Sequence, residues 1–382
     1  MRIDNPNHRC SNNDKLELQT FATLPSLTPQ PISHAKARQM KVHIASCCIM
    51  LLALTSLTYA QDKQTLAKFE PPDGNCYHGV CLTGFWSLEE TQQNLKTWRD
   101  TVTQTPLSLH SWFAHCRENG KWRTWHWMDK TPDGRGVCGT GESYAQTSRK
   151  LGMTPLIAWS WMDWHDKKKS PSLKEVVTGK FDWYFDDWIK GVKAFGDPIF
   201  IRLSHEMDGD WYPYSEGWKD DPTRNTTKDF VAYYRYIVER FNKAGVTNVA
   251  WVWCVNGDRS GGKDWMDYYP GDDYVDWLGI DPYSSRNPKQ MIEPLLAMFP
   301  GKPVMIPEGG TGPSQTKWNN QFTSNEAWVN ELFDVIESNS RIKAFCWFEF
   351  GDEWKLASDP KQLQAYQTRI KAKRFAVTKV VQ

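Results

Sequence analysis

The feature that most constrains the fold is a regular alternation of apolar, β-type runs with amphipathic helical patterns over most of the chain. Eight runs read as strands, at residues 78–85, 107–113, 154–159, 199–204, 249–255, 277–280, 303–306 and 344–348. Helical patterns fall between and after them, at 88–101, 141–151, 181–195, 228–244, 288–298, 325–339 and 361–373, with a shorter one at 263–268. Strands that alternate with helices predict a parallel sheet.

Eight strand-and-helix units favour a closed (β/α)₈ TIM barrel over an open, doubly wound sheet. The glycine-rich turns that hold nucleotide phosphates follow none of the strand runs, which argues against a dinucleotide-binding fold. The 382 residues carry a formal net charge of +1, so bulk charge gives no reason to expect a nucleic-acid partner. We therefore expect one catalytic barrel domain over residues 61–382.

An N-terminal segment has the pattern of a signal peptide. From Met40 a basic start is followed by a short apolar run at 44–54 and by small residues before a cleavage point after Ala60. The apolar run is too short to span a membrane. We expect residues 1–39 to be an untranslated or disordered leader, 40–60 to be the signal peptide, and the mature protein to be secreted without membrane attachment.

Cleavage after Ala60 would leave six cysteines, an even number that permits disulfides in an exported protein. Cys116 and Cys138 flank a polar excursion rich in tryptophan and glycine, and this pair is the favoured disulfide. Cys254 and Cys346 lie inside apolar strands, where a free buried thiol is expected.

Aromatic residues are abundant, with 21 Trp, 14 Tyr and 17 Phe. A single tryptophan is most simply a core residue, but each buried indole N–H needs a partner, and so many rings are difficult to hide. Flat rings stack on the apolar faces of sugars. The set therefore favours a carbohydrate-binding groove.

Two glutamates stand at the ends of the fourth and seventh strand runs. Residues 199–204 lead directly into His205-Glu206, and residues 303–306 lead into Pro307-Glu308. The C-terminal strand ends form the active site of a TIM barrel, and the fourth and seventh strands lie across its mouth from each other. Either glutamate alone could be a structural ion-pair partner. Together they predict the two carboxyls that flank a glycosidic bond during hydrolysis.

The two carboxyls would need different pKa values, one protonated and one ionised near neutral pH. His205, Arg202 and Tyr283 are candidates to tune them, and a phenol that donates to Glu308 would align that carboxylate, although Tyr283 could equally be a rim tyrosine with its own partner. His205-Glu206 is not the start of a zinc-binding H-E-x-x-H motif, and the other histidines lack ligand spacing. We expect neither a metal nor another cofactor.

Four segments resemble glycoside hydrolase family 26, which belongs to a large clan of retaining (β/α)₈ enzymes. They are RLSHEMDGDWYPYS at 202–215, YYPGDDYVDWLGIDPY at 268–283, KPVMIPEGG at 302–310 and the aromatic Trp347 of the eighth strand. The resemblance covers essentially the whole mature chain, and the first two motifs are the specific ones.

The resemblance implies that Glu206 is the acid/base and Glu308 the nucleophile. Sugar contacts are then expected around the cleavage point from six further side chains: Arg202, His205, Trp211, Asp281, Tyr283 and Trp347. Two departures, Asp208 where the family usually has Asn and Gly309-Gly310 after the nucleophile, lie beside the expected subsites and bear on substrate identity.

The function expected is a secreted endo-glycoside hydrolase that cleaves β-1,4-mannan by double displacement. Hydrolysis of β-1,3-xylan or mixed-linkage β-glucan by the same mechanism is the nearest alternative, and an inactive carbohydrate-binding barrel is another. A polysaccharide is the expected partner, and we expect a monomer.

Overall fold

The barrel expected from the alternation is present. A computed structural model describes residues 66–83, 87–130, 136–258, 263–312, 322–352 and 354–382. The expected leader and signal peptide lie outside these residues. Eight parallel strands follow one another around the barrel: β1 Tyr77–Thr83, β2 Leu109–Glu118, β3 Thr154–Asp163, β4 Ile199–Leu203, β5 Val249–Asn256, β6 Trp277–Asp281, β7 Val304–Gly309 and β8 Ile342–Phe350. Because β1 pairs with both β2 and β8, the sheet closes on itself, which confirms the (β/α)₈ fold.

Helices follow most of the strands: α1 Leu88–Thr97, α2 Glu142–Lys150, α3 Asp182–Phe195, α4 Thr227–Lys243, α5 Pro288–Met298, α6 Asn325–Ser338 and α7 Pro360–Arg369. The pattern at 263–268 forms only a 3₁₀ turn, Trp265–Tyr268. Side chains cap the first turns of helices. At the start of α4, the Thr226 side chain accepts a hydrogen bond from the Asp229 N–H, and the Asp229 side chain accepts one from the Thr226 N–H. In the described ranges, no helix combines the length and apolar character that crossing a lipid bilayer requires.

Strand alternation divides the core into two layers. One face of each strand points into the barrel, where Phe200, Ala250, Trp277, Met305 and Ala344 pack together. The other face packs against the helices. Since side chains alternate along a strand, the interior face of each strand leads to residues that reach the barrel mouth.

An excursion between β2 and α2 adds a small antiparallel pair, Met128–Lys130 with Val137–Gly139. The residues after this pair, including Thr140 and Tyr144, line the cavity at the barrel mouth. The excursion therefore forms one wall of that cavity.

The expected disulfide between Cys116 and Cys138 is wrong, because all six cysteines of the described residues are free and buried. Cys116 faces outward from β2 and directs its thiol to the carbonyl of Met162. Cys138 lies instead beside Arg123. The free, buried thiols expected at Cys254 and Cys346 are confirmed.

Candidate active site

Glu206 and Glu308 line one cleft at the C-terminal mouth of the barrel. Its volume is about 440 Å³, within the usual range for small-molecule sites. Aromatic side chains supply much of the remaining lining, among them Phe113, Trp164, Tyr212, Tyr283 and Phe348. The two glutamates, 102 positions apart in the chain, thus share one cavity as the strand positions predicted.

A β-bulge turns Glu308 towards the cleft. Along β7, Val304 and Ile306 face the helices, and regular alternation would send Glu308 to the same side. The pairing of β7 with β8 shifts between Ile306 and Gly309, so that three steps on β7 match two on β8. Pro307 lies in this segment and has no N–H to give to the ladder. The bulge therefore re-aims Glu308 at the barrel mouth.

Glu206 lies just after β4, where the backbone leaves the strand through an uncommon conformation. Ser204 and Glu206 have φ angles of 45° and 52°, in the left-handed region that side chains other than glycine seldom adopt. The Glu206 N–H donates to the carbonyl of Cys254 at 2.8 Å, which ties the turn to β5. Backbone strain of this kind persists where surrounding contacts enforce it, commonly at functional sites.

Glu308 is held by a buried arginine and a tyrosine. Arg202 is fully buried, forms an ion pair with Glu308, and also donates to both oxygens of Asp281, at 2.9 and 2.7 Å. Burial has the largest single effect and would lower the pKa of Arg202, but Asp281, Cys254 and Cys81 together outweigh it and the pKa lies above the ordinary value. The Tyr283 hydroxyl donates to Glu308 Oε2 at 2.5 Å, which is one of the two roles that the sequence left open for it.

Glu206 has a different environment. Its Oε1 accepts from the Asn256 side-chain amide at 3.0 Å, and its Oε2 accepts from the Trp211 indole at 3.1 Å. Burial, and then the negative charge of Asp281, raise the pKa of Glu206 to about 8. Glu206 is therefore protonated at neutral pH, while Glu308 lies against a permanent positive charge.

The six residues expected to contact sugar divide into groups. Tyr283 lines the cleft. Trp211 is connected to it indirectly, because its indole donates a hydrogen bond to Glu206, which lines the cleft. Arg202, Asp281 and His205 are almost completely buried beneath it, so the structure gives them a supporting position and not a sugar-contacting one. Burial lowers the pKa of His205 well below its ordinary value, so its ring is neutral.

The expected position of Trp347 is not observed. This ring is fully buried on the outward face of β8, shared with Phe345, and packs edge-on against Tyr366. Strand alternation places its neighbour Phe348 on the opposite face, where it lines the cleft. Trp354 follows β8 and contacts the ring of Tyr283.

Sequence reasoning missed several side chains of the site. The rings of His115 and Trp164 stack in parallel with centroids 4.6 Å apart, and both line the cleft. Asn256, which binds Glu206, is the last residue of β5. A usable signal was present, because Asn256 is a polar residue at the end of a predicted barrel strand. Among the described residues, no cluster of His, Cys, Asp and Glu is arranged to hold a metal ion.

A closed (β/α)₈ barrel with two buried glutamates in contrasting surroundings on one cleft is an architecture found among glycoside hydrolases. The sequence profile of glycosyl hydrolase family 26 matches residues 161–339, which include both glutamates. Over these residues the chain is similar to members of this family.

Two curated relatives and one solved structure illustrate the similarity. Endoglucanase H of Acetivibrio thermocellus is 30% identical over 247 residues, 60% of this chain and 25% of that protein. Mannan endo-1,4-beta-mannosidase B of a Piromyces species is 27% identical over 278 residues, 69% of this chain and 42% of that protein. The chain thus spans less than half of either relative.

A structure of a Cellulomonas fimi endo-beta-1,4-mannanase double mutant superposes with a TM-score of 0.55 at 16% identity, covering 80% of this chain and 73% of that one. This likeness supports the barrel fold.

Proposed function

We propose that this protein is a retaining endo-glycoside hydrolase that cleaves β-1,4-mannan by double displacement. The observation that carries the proposal is the pair of glutamates on one cleft, with Glu206 neutral at pH 7 and Glu308 held by Arg202 and Tyr283. A carboxylic acid and an aligned carboxylate on opposite sides of one bond are the groups that this reaction requires.

In the first step the Glu308 carboxylate attacks the anomeric carbon and forms a glycosyl ester. Glu206 gives its proton to the glycosidic oxygen, the C–O bond to the leaving sugar breaks, and Glu206 becomes ionised. In the second step Glu206 takes a proton from water, and the oxygen of that water attacks the anomeric carbon. The ester bond breaks, which releases the sugar and restores both carboxyls.

Mannan is the first choice of substrate because of the similarity to the Piromyces mannosidase. Mixed-linkage β-glucan is the second candidate, favoured by the similarity to Endoglucanase H. β-1,3-Xylan is included in the tests as a third β-glycan. The stacked pair of His115 and Trp164 and the ring of Phe348 offer flat apolar surfaces suited to the faces of sugar rings in any of these polymers.

Secretion is part of the proposal and rests on the signal-like segment at 40–60. Expression with this segment in a secreting host should give a protein in the medium whose first residue is Gln61. Retention of the full segment on a cytoplasmic product would contradict secretion. A single species of monomer mass is expected on size-exclusion chromatography with light scattering.

The test of activity is reducing-sugar release from mannan, lichenan and β-1,3-xylan by the wild type, Glu308→Ala and a control, Glu239→Ala on the outer face of α4. Release from mannan that is lost in Glu308→Ala and kept in the control supports the proposal. Release from lichenan alone would establish the second candidate. The absence of release from all three polymers would favour the non-catalytic barrel.

Two further measurements test the mechanism. Proton NMR of the first product should show the β-anomer for a retaining enzyme and the α-anomer for an inverting one. Glu206→Ala should keep partial activity on an aryl β-mannoside with a good leaving group, since that group needs no protonation, and lose activity on mannan. Equal loss on both substrates would contradict the acid role of Glu206.

A further inference from the structure

Hydrogen-bonded polar side chains connect the acid/base glutamate to the neighbouring strand. They are not among the site residues that the sequence predicted. We propose that Asn256, held in place by Asp208, is a positioning residue that fixes the Glu206 carboxyl and adjusts its proton affinity. This inference rests on the proposed function of Glu206. It is carried by a continuous series of hydrogen bonds from the turn after β4 to the end of β5.

The orientation of the Asn256 amide is fixed by its partners. Asn256 continues the interior face of β5, on the same side as Cys254. Its Oδ1 accepts the backbone N–H of Asp258 at 2.9 Å, so its Nδ2 is the atom that faces Glu206 Oε1 at 3.0 Å. An amide turned by 180° would place its NH₂ group against the Asp258 N–H and lose that bond, so Nδ2 is the group directed at Glu206.

Asp208 holds Asn256 from behind. Its Oδ1 accepts the backbone N–H of Asn256 at 2.9 Å, and its Oδ2 accepts the indole N–H of Trp265 at 2.8 Å. Both carboxylate oxygens are thus directed into the protein, and Asp208 is almost fully buried. Asp208 therefore does not lie at a sugar subsite, although its place in the motif had suggested such a position. It connects the segment carrying Glu206 to β5.

The resemblance led us to expect asparagine at position 208, and the contacts explain why a carboxylate suits this chain. Two N–H donors, from Asn256 and Trp265, converge on the two oxygens of Asp208. An asparagine could accept only one of them, and its NH₂ group would face the other donor. The pairing of Asp208 with Trp265 thus makes the site dependent on the carboxylate.

The bond from Asn256 acts on the ionised form of Glu206. Burial raises the pKa of Glu206, and the donor from Asn256 opposes this rise because a carboxylate accepts a hydrogen bond more strongly than a neutral acid does. Among the charged groups, Asp281 and Asp208 act to raise the pKa and Arg202 acts to lower it. Tyr212, Tyr214, Tyr283 and Cys254 are the other titratable side chains whose interaction with Glu206 is resolved.

Glu206 must work in both protonation states, as an acid in the first step and a base in the second. Without the donor, its pKa would rise and the ionised form needed for the second step would become scarcer. Without the fixed amide, the carboxyl would also turn more freely away from the glycosidic oxygen. Asn256 itself is not part of the cleft lining, so substrate binding should change little.

The experiment compares Asn256→Ala with the wild type on mannan across pH 5 to 10. A matched control, Asn248→Ala, lies at the other end of β5, where its amide donates to the carbonyls of Val192 and Asp197. We expect Asn256→Ala to lower kcat about tenfold with KM unchanged, and to move the alkaline limb of kcat/KM upward by about one pH unit. Asn248→Ala should keep the wild-type pH profile.

A second variant covers the possibility that Asn256→Ala does not fold. Asp208→Asn keeps the size of the side chain and should lower kcat with KM unchanged, because Asn256 loses its fixed support. Since the Asp208 charge also raises the pKa of Glu206, the readout for this variant is kcat and not the position of the alkaline limb. An alkaline limb that stays at the wild-type pH in folded Asn256→Ala, or a wild-type kcat in folded Asp208→Asn, would overturn the inference. Glu206→Ala, measured in parallel, separates the two proposals: wild-type activity there would refute the role of Glu206 itself.

Discussion

Replacing Glu206 by glutamine should make the folded protein more stable at neutral pH. The folded state holds this carboxyl with a pKa of about 8, against an ordinary value of 4.5 that applies to the unfolded chain. At pH 7 the group is therefore protonated when folded and ionised when unfolded. Linkage between protonation and folding then makes the native state about 3 kcal/mol less stable than it would be with a neutral side chain there.

Glutamine removes this cost but loses one contact. The amide oxygen can accept from only one of the two donors, Asn256 and Trp211, which costs about 1 kcal/mol. The expected net gain in the free energy of unfolding at pH 7 is about 2 kcal/mol, or roughly 3 °C in Tm for a domain of about 300 residues. Activity on mannan should be lost, since the amide cannot supply a proton.

The sign of the effect is testable through its pH dependence. Below pH 4.5 the carboxyl of Glu206 is protonated in both states, and its ionisation contributes no difference. As pH rises from about 4.5 to about 8, the unfolded state binds fewer protons than the folded state, and the wild type loses stability relative to Glu206→Gln. Above about pH 8 the difference should be constant.

Urea unfolding of the wild type and Glu206→Gln at pH 4.5 and pH 7 would measure this change. Glu293→Gln is a suitable control, because that side chain is 58% exposed on α5 and forms a surface ion pair with Lys289 one turn earlier. The reasoning would be refuted if Glu206→Gln gained no stability between the two pH values, or if the control gained as much.

Three further outcomes are expected. Tyr283→Phe removes the donor to Glu308 and should reduce kcat/KM on mannan by about 10- to 100-fold at unchanged Tm; activity within twofold of the wild type would contradict the alignment role of the phenol. Arg202→Met leaves Asp281 without its buried partner and should lower the free energy of unfolding by about 3–5 kcal/mol in urea titrations, whereas an unchanged midpoint would refute the importance of this ion pair. The six cysteines after residue 65 should react with a thiol reagent only in denaturant, and fewer than six thiols after unfolding without reductant would indicate a disulfide.

Much of the fold was predictable from the sequence because strand and helix periodicity are local properties. Each expected strand lies on an observed strand, and α5 begins and ends where the pattern predicted. The start of α5 depends on adjacent residues, because Asn287 caps the helix just before Pro288. Other ends differed, since the α-helices expected at 88–101 and 361–373 end at Thr97 and Arg369. The weak pattern at 263–268 gave only a single 3₁₀ turn.

The site was harder to predict where it depends on side-chain direction or on distant partners. Trp347 was expected at the cleft, but alternation from the interior residues Ala344 and Cys346 leads to Phe348 instead. The interior position of Arg202 follows from the same rule, yet its pairing with Asp281 depends on residues 79 positions apart. No local pattern indicates such a contact.

Both glutamates lie at departures from regular strand geometry, and for Glu308 this departure has a structural reason. A regular β7 would direct Glu308 between the strands and the helices, among apolar side chains, so the bulge at Pro307 is required for the carboxyl to reach the mouth. Glu206 has a left-handed backbone conformation just after β4. Such irregular segments are stable only when neighbouring residues hold their side chains in place, because backbone strain and buried charge both favour rearrangement. The contacts from Arg202 and Asn256 meet this need, and the contact from Asn256 also acts on the pKa of Glu206, so we conclude that the features that hold these segments in place also establish the chemistry of the site.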